Sequence, residues 1–307
     1  MSTTLPAPPA ARTDLIARDK TVVALFWAAV ALASALPQIV VTELIGSAPW
    51  PLAIGQVLTI AALLVVVHRA PRLRVLDAPL RWLLAMAAAW HLIIGGLLST
   101  HVWEDWQHSV PWAARGAVVQ VLLFVPTLLL VVLGPGRLGR DALRLWAGDD
   151  RAPARASVYT AGTRPTWRRL GIFWAAGITA GTATAMWFAL GSRLGDVSVL
   201  LWSLPAVMIL AATNTFNEEF GYRNVPLAVL APVFGPRAAL AATGLLFGLA
   251  HYYGNPPGAS GVLLAAFLGV LLAKSMIETG GSKWAWTIHW LQDLVIFSFH
   301  TLAWTNL

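Results

Sequence analysis

A chain of 307 residues would ordinarily hold about two soluble domains. Its residues are 58% hydrophobic and 11% charged, against about 45 to 50% and about 25% in soluble proteins. With a mean hydropathy of +0.68, that balance specifies an integral membrane protein. The absence of cysteine excludes a disulfide framework, a thiolate metal cage and a cysteine nucleophile. A formal charge of +7 does not argue for nucleic acid as a partner, because the basic residues fall in short stretches between apolar runs, which is a topology signal.

Residues 1–20, rich in Ala, Pro and Thr, read as a disordered cytoplasmic tail. Runs long enough to cross about 30 Å of hydrocarbon follow at 21–43, 50–68, 82–102 and 116–134, making a four-span N-terminal membrane region over 21–136. The first run contains Ala33-Ser34-Ala35, a cleavage-like pattern, but apolar sequence continues through Val41 and keeps it as an uncleaved helix. Residues 137–169 form a basic cytoplasmic loop. Further runs at 170–191, 203–230, 237–254, 261–278 and 285–305 make up the C-terminal region, 170–307. The expected fold is therefore all-α, a polytopic membrane bundle of eight or nine transmembrane helices. The run 203–230 is too long and too polar for one straight crossing and is expected to tilt, bend or partly unwind. No fixed-period repeat relates the two halves, which removes support for an inverted-repeat transporter.

With the N-terminus inside, 19 of the 21 Lys and Arg residues fall on the inner half, and only Arg115 and Arg193 lie outside. This is the positive-inside pattern. The Ala, Arg and Trp bias points to a high-GC bacterium, hence to a multi-pass protein of its cell membrane. Trp50, Trp82, Trp103, Trp112, Trp167 and Trp284 stand near the ends of runs and read as interfacial anchors.

Ionisable groups inside apolar runs are the informative residues, since each costs about 2.5 to 3.5 kcal/mol at a helix centre on the mildest scale. Glu219 and Arg223 are four apart, in the order that suits an ion pair on one helical face. Glu218 lies about 100° around the helix and needs a partner of its own. Phe247 stands one turn before His251 on the same face. Arg237 and Pro232 mark the ends of neighbouring antiparallel helices, which puts Glu218 and His251 each about 21 Å from the connecting turn, at a depth where they can meet. His289 and Asp293 are also four apart. If their helix begins at Lys283, His289 lies only about 9 Å from its inner end, which disagrees with the other two unless a re-entrant Gly-rich turn or a strong tilt reconciles them. His91 and His300 read as hydrogen-bonded or interfacial histidines. Lys274 and Glu278 read as a structural pair, with Lys274 snorkelling inward.

Taken in order, Glu-Glu-x-x-x-Arg (Glu218, Glu219, Arg223), Phe-x-x-x-His (Phe247, His251) and His-x-x-x-Asp (His289, Asp293) resemble the motifs of the CPBP or ABI family of intramembrane proteases, which includes the CAAX prenyl endopeptidases. The resemblance covers about the C-terminal 135 residues. It departs at Asn224, where the family commonly has Gly, and at Asp293, where Asn is the common choice. The second departure matters more. An Asn amide donates to an oxyanion, whereas an ionised carboxylate repels it, so Asp293 must be protonated, orient His289 or ligate a metal.

Peptide hydrolysis needs an activated water and a donor to the tetrahedral oxyanion. Glu218 with His251 suits the first task and His289 the second, with Asp293 beside it and Glu219, Arg223 and Phe247 in support. Glu218, His251, His289 and Asp293 also offer nitrogen and oxygen ligands of the kind Zn²⁺ accepts, but no His-Glu-x-x-His helix is present, and metal-free catalysis is the favoured expectation. The leading function is an intramembrane endopeptidase acting on a membrane-associated protein or peptide, without a prediction of a CAAX substrate. The alternatives are a non-catalytic membrane scaffold or immunity protein, and a proton-coupled transporter using Glu218. Few polar residues in the first four runs line a transport path.

Overall fold

The computed structural model describes residues 19–110, 112–133 and 148–304. Most of the expected tail and the first part of the basic loop lie outside the described residues. Among the described residues every regular element is a helix, the form in which an open segment satisfies its own backbone in an apolar solvent.

Helix α1 (Lys20–Ala33) and α2 (Leu36–Ile45) meet at a 52° bend. Asp19 caps α1 by accepting from the backbone N–H groups of Thr21 and Val22. Hydrogen bonds from Arg72 at 2.8 and 2.9 Å hold the Asp19 carboxyl down to about 2. Helix α3 is Trp50–Arg69, and a 3-10 turn, Pro71–Leu76, leads into α4, Asp77–Ala87. The latter runs on through a π-helical segment, Ala88–Ile94, and a last turn, Gly95–Leu98. Next come α5 (His101–Ser109) and α6 (Trp112–Leu133). The second half holds α7 (Trp167–Leu190), α8 (Ser198–Glu219), a second π segment (Phe220–Asn224), α9 (Val225–Ala250), α10 (Ala259–Thr279) and α11 (Lys283–Trp304).

Among the described residues, five helices are long and apolar enough to cross a membrane, or six if the bent α1–α2 pair is one span. The chain is a multi-pass membrane protein, but length and apolarity do not reach the eight or nine spans expected from sequence. The apolar stretch of α6, Ala114–Leu130, is short. Helix α11 is not among the five, since it spends positions on Lys283, His289, Asp293 and His300. The runs 203–230 and 237–254 fall within one 53-residue helical stretch, Ser198–Ala250.

That stretch bends twice. The expected irregularity within 203–230 is the π segment Phe220–Asn224. The second break is Gly235, at φ 82° and ψ 164° between Pro232 and Pro236, a left-handed backbone that favours glycine. Along a straight helix, residues 223 and 247 would lie about 36 Å apart. The Arg223 guanidinium is instead 3.8 Å from the Phe247 ring centroid, so α9 folds back on itself at Gly235. Its second arm packs closely on α10, because a Cβ on Gly248 would lie 2.7 Å from the Val262 carbonyl oxygen and 2.8 Å from the Ala266 Cβ.

The two halves share one core. Phe26 of α1 stacks on Phe234 of α9, with ring centroids 4.2 Å apart. The described part of the basic loop, from Gly148 onward, is folded against the ends of α10 and α11. The Asp149 N–H donates to the Thr279 carbonyl at 2.8 Å, Asp150 pairs with Lys283 at 2.5 Å, and Pro153 bridges to Thr166. This cover corrects two readings. Lys274 does not snorkel: it is 6% exposed, hydrogen-bonds Glu278 and donates to the Arg155 carbonyl at 3.0 Å. Trp82, Trp103, Trp167 and Trp284 are buried inside the protein and are not lipid-facing anchors. Two of their indoles donate to buried acceptors, Trp167 to Glu278 and Trp82 to the Gly221 carbonyl, each at 2.9 Å. Trp50 remains exposed, and the side chain of Trp112 lies outside the described residues.

Candidate active site

The site is built where α8 passes into the π segment. A π turn leaves backbone groups out of the regular i to i−4 pattern, and such turns cluster at functional positions. Here the Gly221 carbonyl takes the Trp82 indole N–H across the two halves, and Met86 lies 3.3 Å from where a Gly221 Cβ would stand. Across this turn Arg223 Nη1 donates to Glu219 Oε1 at 2.6 Å, as the spacing predicts. The guanidinium is fully buried. Its Nε and Nη2 have no hydrogen-bond partner among the described residues, and the face of Phe247 beneath it supplies a cation–π contact.

Glu219 Oε1 also receives His289 Nδ1, at 2.6 Å. This contact disposes of the depth disagreement. Helix α11 does begin at Lys283, but Gly281 and Ser282 before it are themselves buried, with Ser282 accepting from Asn224 at 3.4 Å and Gly148 packed against Gly281. The chain therefore enters the helix by way of a buried Gly-rich turn, and His289 reaches the depth of Glu219.

With Nδ1 on Glu219, His289 Nε2 faces Glu218 Oε2 at 3.5 Å and Asp293 Oδ1 at 3.6 Å. Both distances exceed direct hydrogen bonding, so the nitrogen is approached by two carboxylates and bonded to neither. The other oxygen of Asp293, Oδ2, accepts from Asn214 Nδ2 at 3.1 Å and Thr215 Oγ1 at 2.9 Å. Asn214 in turn accepts from Gln120 of α6 at 3.2 Å. Asn214 and Thr215 escaped the sequence reading. The available signal was their position four and three residues before Glu218, on the same helical face.

The expected partnership of Glu218 with His251 is not what the structure forms. His251 Nδ1 donates to the Phe247 carbonyl at 2.7 Å, and the imidazole beside Glu218 is His289. The reason lies in the adjacent carboxylate: once Glu219 has taken His289 Nδ1, the far side of that ring is carried toward Glu218. The depth argument survives in a weaker form. Glu218 and His251 line the same cavity, of about 350 Å³, together with Tyr222 and Leu246. Because a carbonyl only accepts, His251 carries its proton on Nδ1, and Nε2 is the nitrogen left for an occupant. Phe247 packs against both histidines, with ring centroids 4.3 Å from His251 and 6.0 Å from His289.

The rest of the lining comes from the first half, from the α1–α2 bend and from Trp82, Leu83, Met86, Trp90 and His91. His91 has the hydrogen bond expected of it, from Nε2 to the Ala33 carbonyl at 3.0 Å, but it also lines the cavity, which its spacing did not indicate. His300 is exposed near the end of α11. Among the described residues no group of three or more His, Asp or Glu is placed to hold a metal ion, while His251, held at Nδ1 by a carbonyl, keeps Nε2 available.

No curated protein and no solved structure matches the chain. Residues 200–295, the stretch that carries all three motifs, match the family model described as Rce1-like, type II CAAX prenyl endopeptidase, the likeness that the motifs themselves point to.

Proposed function

We propose that the protein is an intramembrane endopeptidase that hydrolyses a membrane-associated protein or peptide through a glutamate- and histidine-activated water. One observation carries this reading: three carboxylates, two imidazoles and a guanidinium converge from three helices, and two of them, Glu218 and His251, line a cavity whose other walls are mostly apolar and aromatic, with Ser34 and His91 among them. A purely structural network needs no cavity, and a buried charge without one is expensive.

In this reading Glu218, at the cavity and 14% exposed, is the general base for water. His251 accepts a hydrogen bond from that water at Nε2 and orients it. His289, whose Nδ1 is fixed by Glu219, donates from Nε2 to the developing oxyanion, which requires the doubly protonated ring. Glu219 and Arg223 do not touch substrate: they hold His289. Asp293 keeps Oδ2 on Asn214 and Thr215, so a proton on this acid belongs on Oδ1, where it would make a second oxyanion donor. No step here runs through zinc. The matched family is described by CAAX prenyl substrates; the substrate proposed for this chain is the broader class of membrane-associated peptides, at a cell membrane with the N-terminus inside.

The test compares wild type with Glu218→Gln on a proteome-derived library of membrane peptides in detergent. The variant keeps the shape and removes the base, so cleavage should vanish while thermal stability stays equal or rises. Equal cleavage by both proteins would end the catalytic reading, and no cleavage by wild type would favour a scaffold.

A further inference from the structure

Three irregular pieces of backbone meet at the cavity. They are the break between α1 and α2 at Ala33, Ser34 and Ala35, the π segment Ala88–Ile94 that carries Trp90 and His91, and the π segment Phe220–Asn224 that carries Tyr222. Only the last lies in the stretch matched by the family model. Non-helical backbone at membrane depth persists where it is buried in protein or lines a cavity, and π turns gather at functional positions. Two such features, both from the first half, line the cavity that Glu218 and His251 also line.

The break is held, not frayed. Its carbonyls are taken by side chains: Leu32 O and Ser34 O accept from Gln56 Nε2 at 2.5 and 3.4 Å, and Ala33 O accepts from His91 Nε2 at 3.0 Å. Gln56 does this from outside the cavity, whereas His91 does it while lining the cavity. Since a carbonyl cannot donate, His91 Nε2 carries the proton, and the nitrogen left to meet an occupant is Nδ1, an acceptor in the neutral ring. Around it the wall is aromatic and aliphatic, with Trp90 6.1 Å from Tyr222 between ring centroids.

We infer that His91 is a substrate-binding residue of this site, accepting a hydrogen bond at Nδ1 from a backbone N–H of an extended peptide whose apolar side chain rests against Trp82, Met86 and Trp90. This inference rests on the endopeptidase reading for its substrate, but it concerns the lining that the first half supplies. An extended chain exposes N–H groups that must be satisfied on leaving water, and a fixed acceptor beside an apolar wall meets that need.

The experiment uses the full-length protein and one peptide that wild type cleaves from the membrane-peptide library. His91→Ala should raise KM about tenfold, the worth of about one hydrogen bond, with kcat within about twofold. His91→Gln, which offers both a donor for Ala33 and an acceptor for the peptide, should recover most of the loss. Gln56→Leu also frees carbonyls of the break, so it should lower the thermal midpoint and leave KM unchanged. If His91→Ala leaves KM unchanged, or if Gln56→Leu raises it equally, His91 acts at most through the break and the inference is overturned. A second arm needs no turnover. In Glu218→Gln protein, diethyl pyrocarbonate should modify His91, read by peptide mass mapping, and the peptide should protect it. Should wild type cleave nothing, the endopeptidase reading fails, and protection by the whole library then decides the binding inference alone: absence of protection refutes it.

Discussion

Two acid–base pairs with identical spacing are buried in this protein, and they serve different ends. Glu219–Arg223 spans a π turn, and its carboxylate goes on to hold His289 Nδ1 at 2.6 Å. Lys274–Glu278 lies in the regular helix α10, and its carboxylate goes on to hold the Arg155 N–H and the Trp167 indole at 3.1 and 2.9 Å. The first pair holds His289 of α11; the second pins the folded segment beyond Gly148 onto the bundle. Spacing alone therefore specifies a pair, while the third partner specifies its use. The two also differ in redundancy. Without its lysine, Glu278 keeps two neutral donors. Among the described residues, Glu219 without its arginine keeps His289 alone, and its Oε2 has no hydrogen-bond partner.

The largest effect should accordingly follow Arg223→Ala. It breaks a buried ion pair and leaves Glu219 to His289, a loss that typically costs about 3 to 5 kcal/mol, so folded yield and thermal stability in detergent should collapse before activity can be assayed. Wild-type stability in this variant would show that the pair does not carry the site. Lys274→Met is the matched test on the other side of the comparison. With two donors left on Glu278, its loss should be nearer 1 to 3 kcal/mol, roughly the range for a partly unsatisfied buried group. Turnover below the new midpoint should be retained, and limited proteolysis should quicken within 148–166. A Lys274→Met protein that is stable but inactive would mean that the covering segment, too, belongs to the catalytic apparatus.

What could be read from sequence follows from range. Glu219–Arg223, Lys274–Glu278 and the Phe247–His251 ring contact are contacts within one or two turns, where helical geometry alone decides which side chains meet. The fold-back was legible as well, because Pro232 and Arg237 mark the facing ends of two apolar runs, though its hinge at Gly235 was not singled out. The partner of Glu218 was not, since the choice between His251 and His289 depends on which ring nitrogen Glu219 captures, and that is settled by how deep α11 begins. That depth depends on a buried Gly-rich turn under the 148–150 segment, which composition marks only as a basic loop. Trp82 and Trp167 were misread for a related reason. A tryptophan near the end of an apolar run is interfacial only if nothing covers it, and the covering segments lie far away in the chain.

Trp82→Phe sharpens the comparison at a smaller scale, by asking whether the first pair relies on the N-terminal half. The change removes the indole donor from the Gly221 carbonyl and leaves a small void, so it should lower stability by about 1 to 2 kcal/mol. The π turn that separates Glu219 from Arg223 should loosen, and kcat should fall several-fold. Unaltered stability and rate, measured by thermal shift and by single-turnover cleavage, would show that the π turn holds itself.

The smallest stability effect is expected at Asp293, where the outcome separates two chemistries. Oδ2 already accepts from Asn214 and Thr215. In Asp293→Asn those donors select the amide oxygen, which turns the amide nitrogen to the place of Oδ1, 3.6 Å from His289 Nε2. It then stands beside the proposed oxyanion as a donor that needs no proton from solvent. In metal-free hydrolysis the variant should keep or raise kcat and carry activity to higher pH, with stability equal or better because a buried carboxylate has become neutral. With zinc the direction reverses, since an amide ligates weakly and both metal content and rate should drop together. Elemental analysis and a pH profile on the same two preparations discriminate the cases. Stoichiometric zinc in wild type, lost with activity in Asp293→Asn, would overturn the metal-free mechanism and assign Asp293 to the metal, a role in which its departure from the family's Asn would have a direct chemical reason.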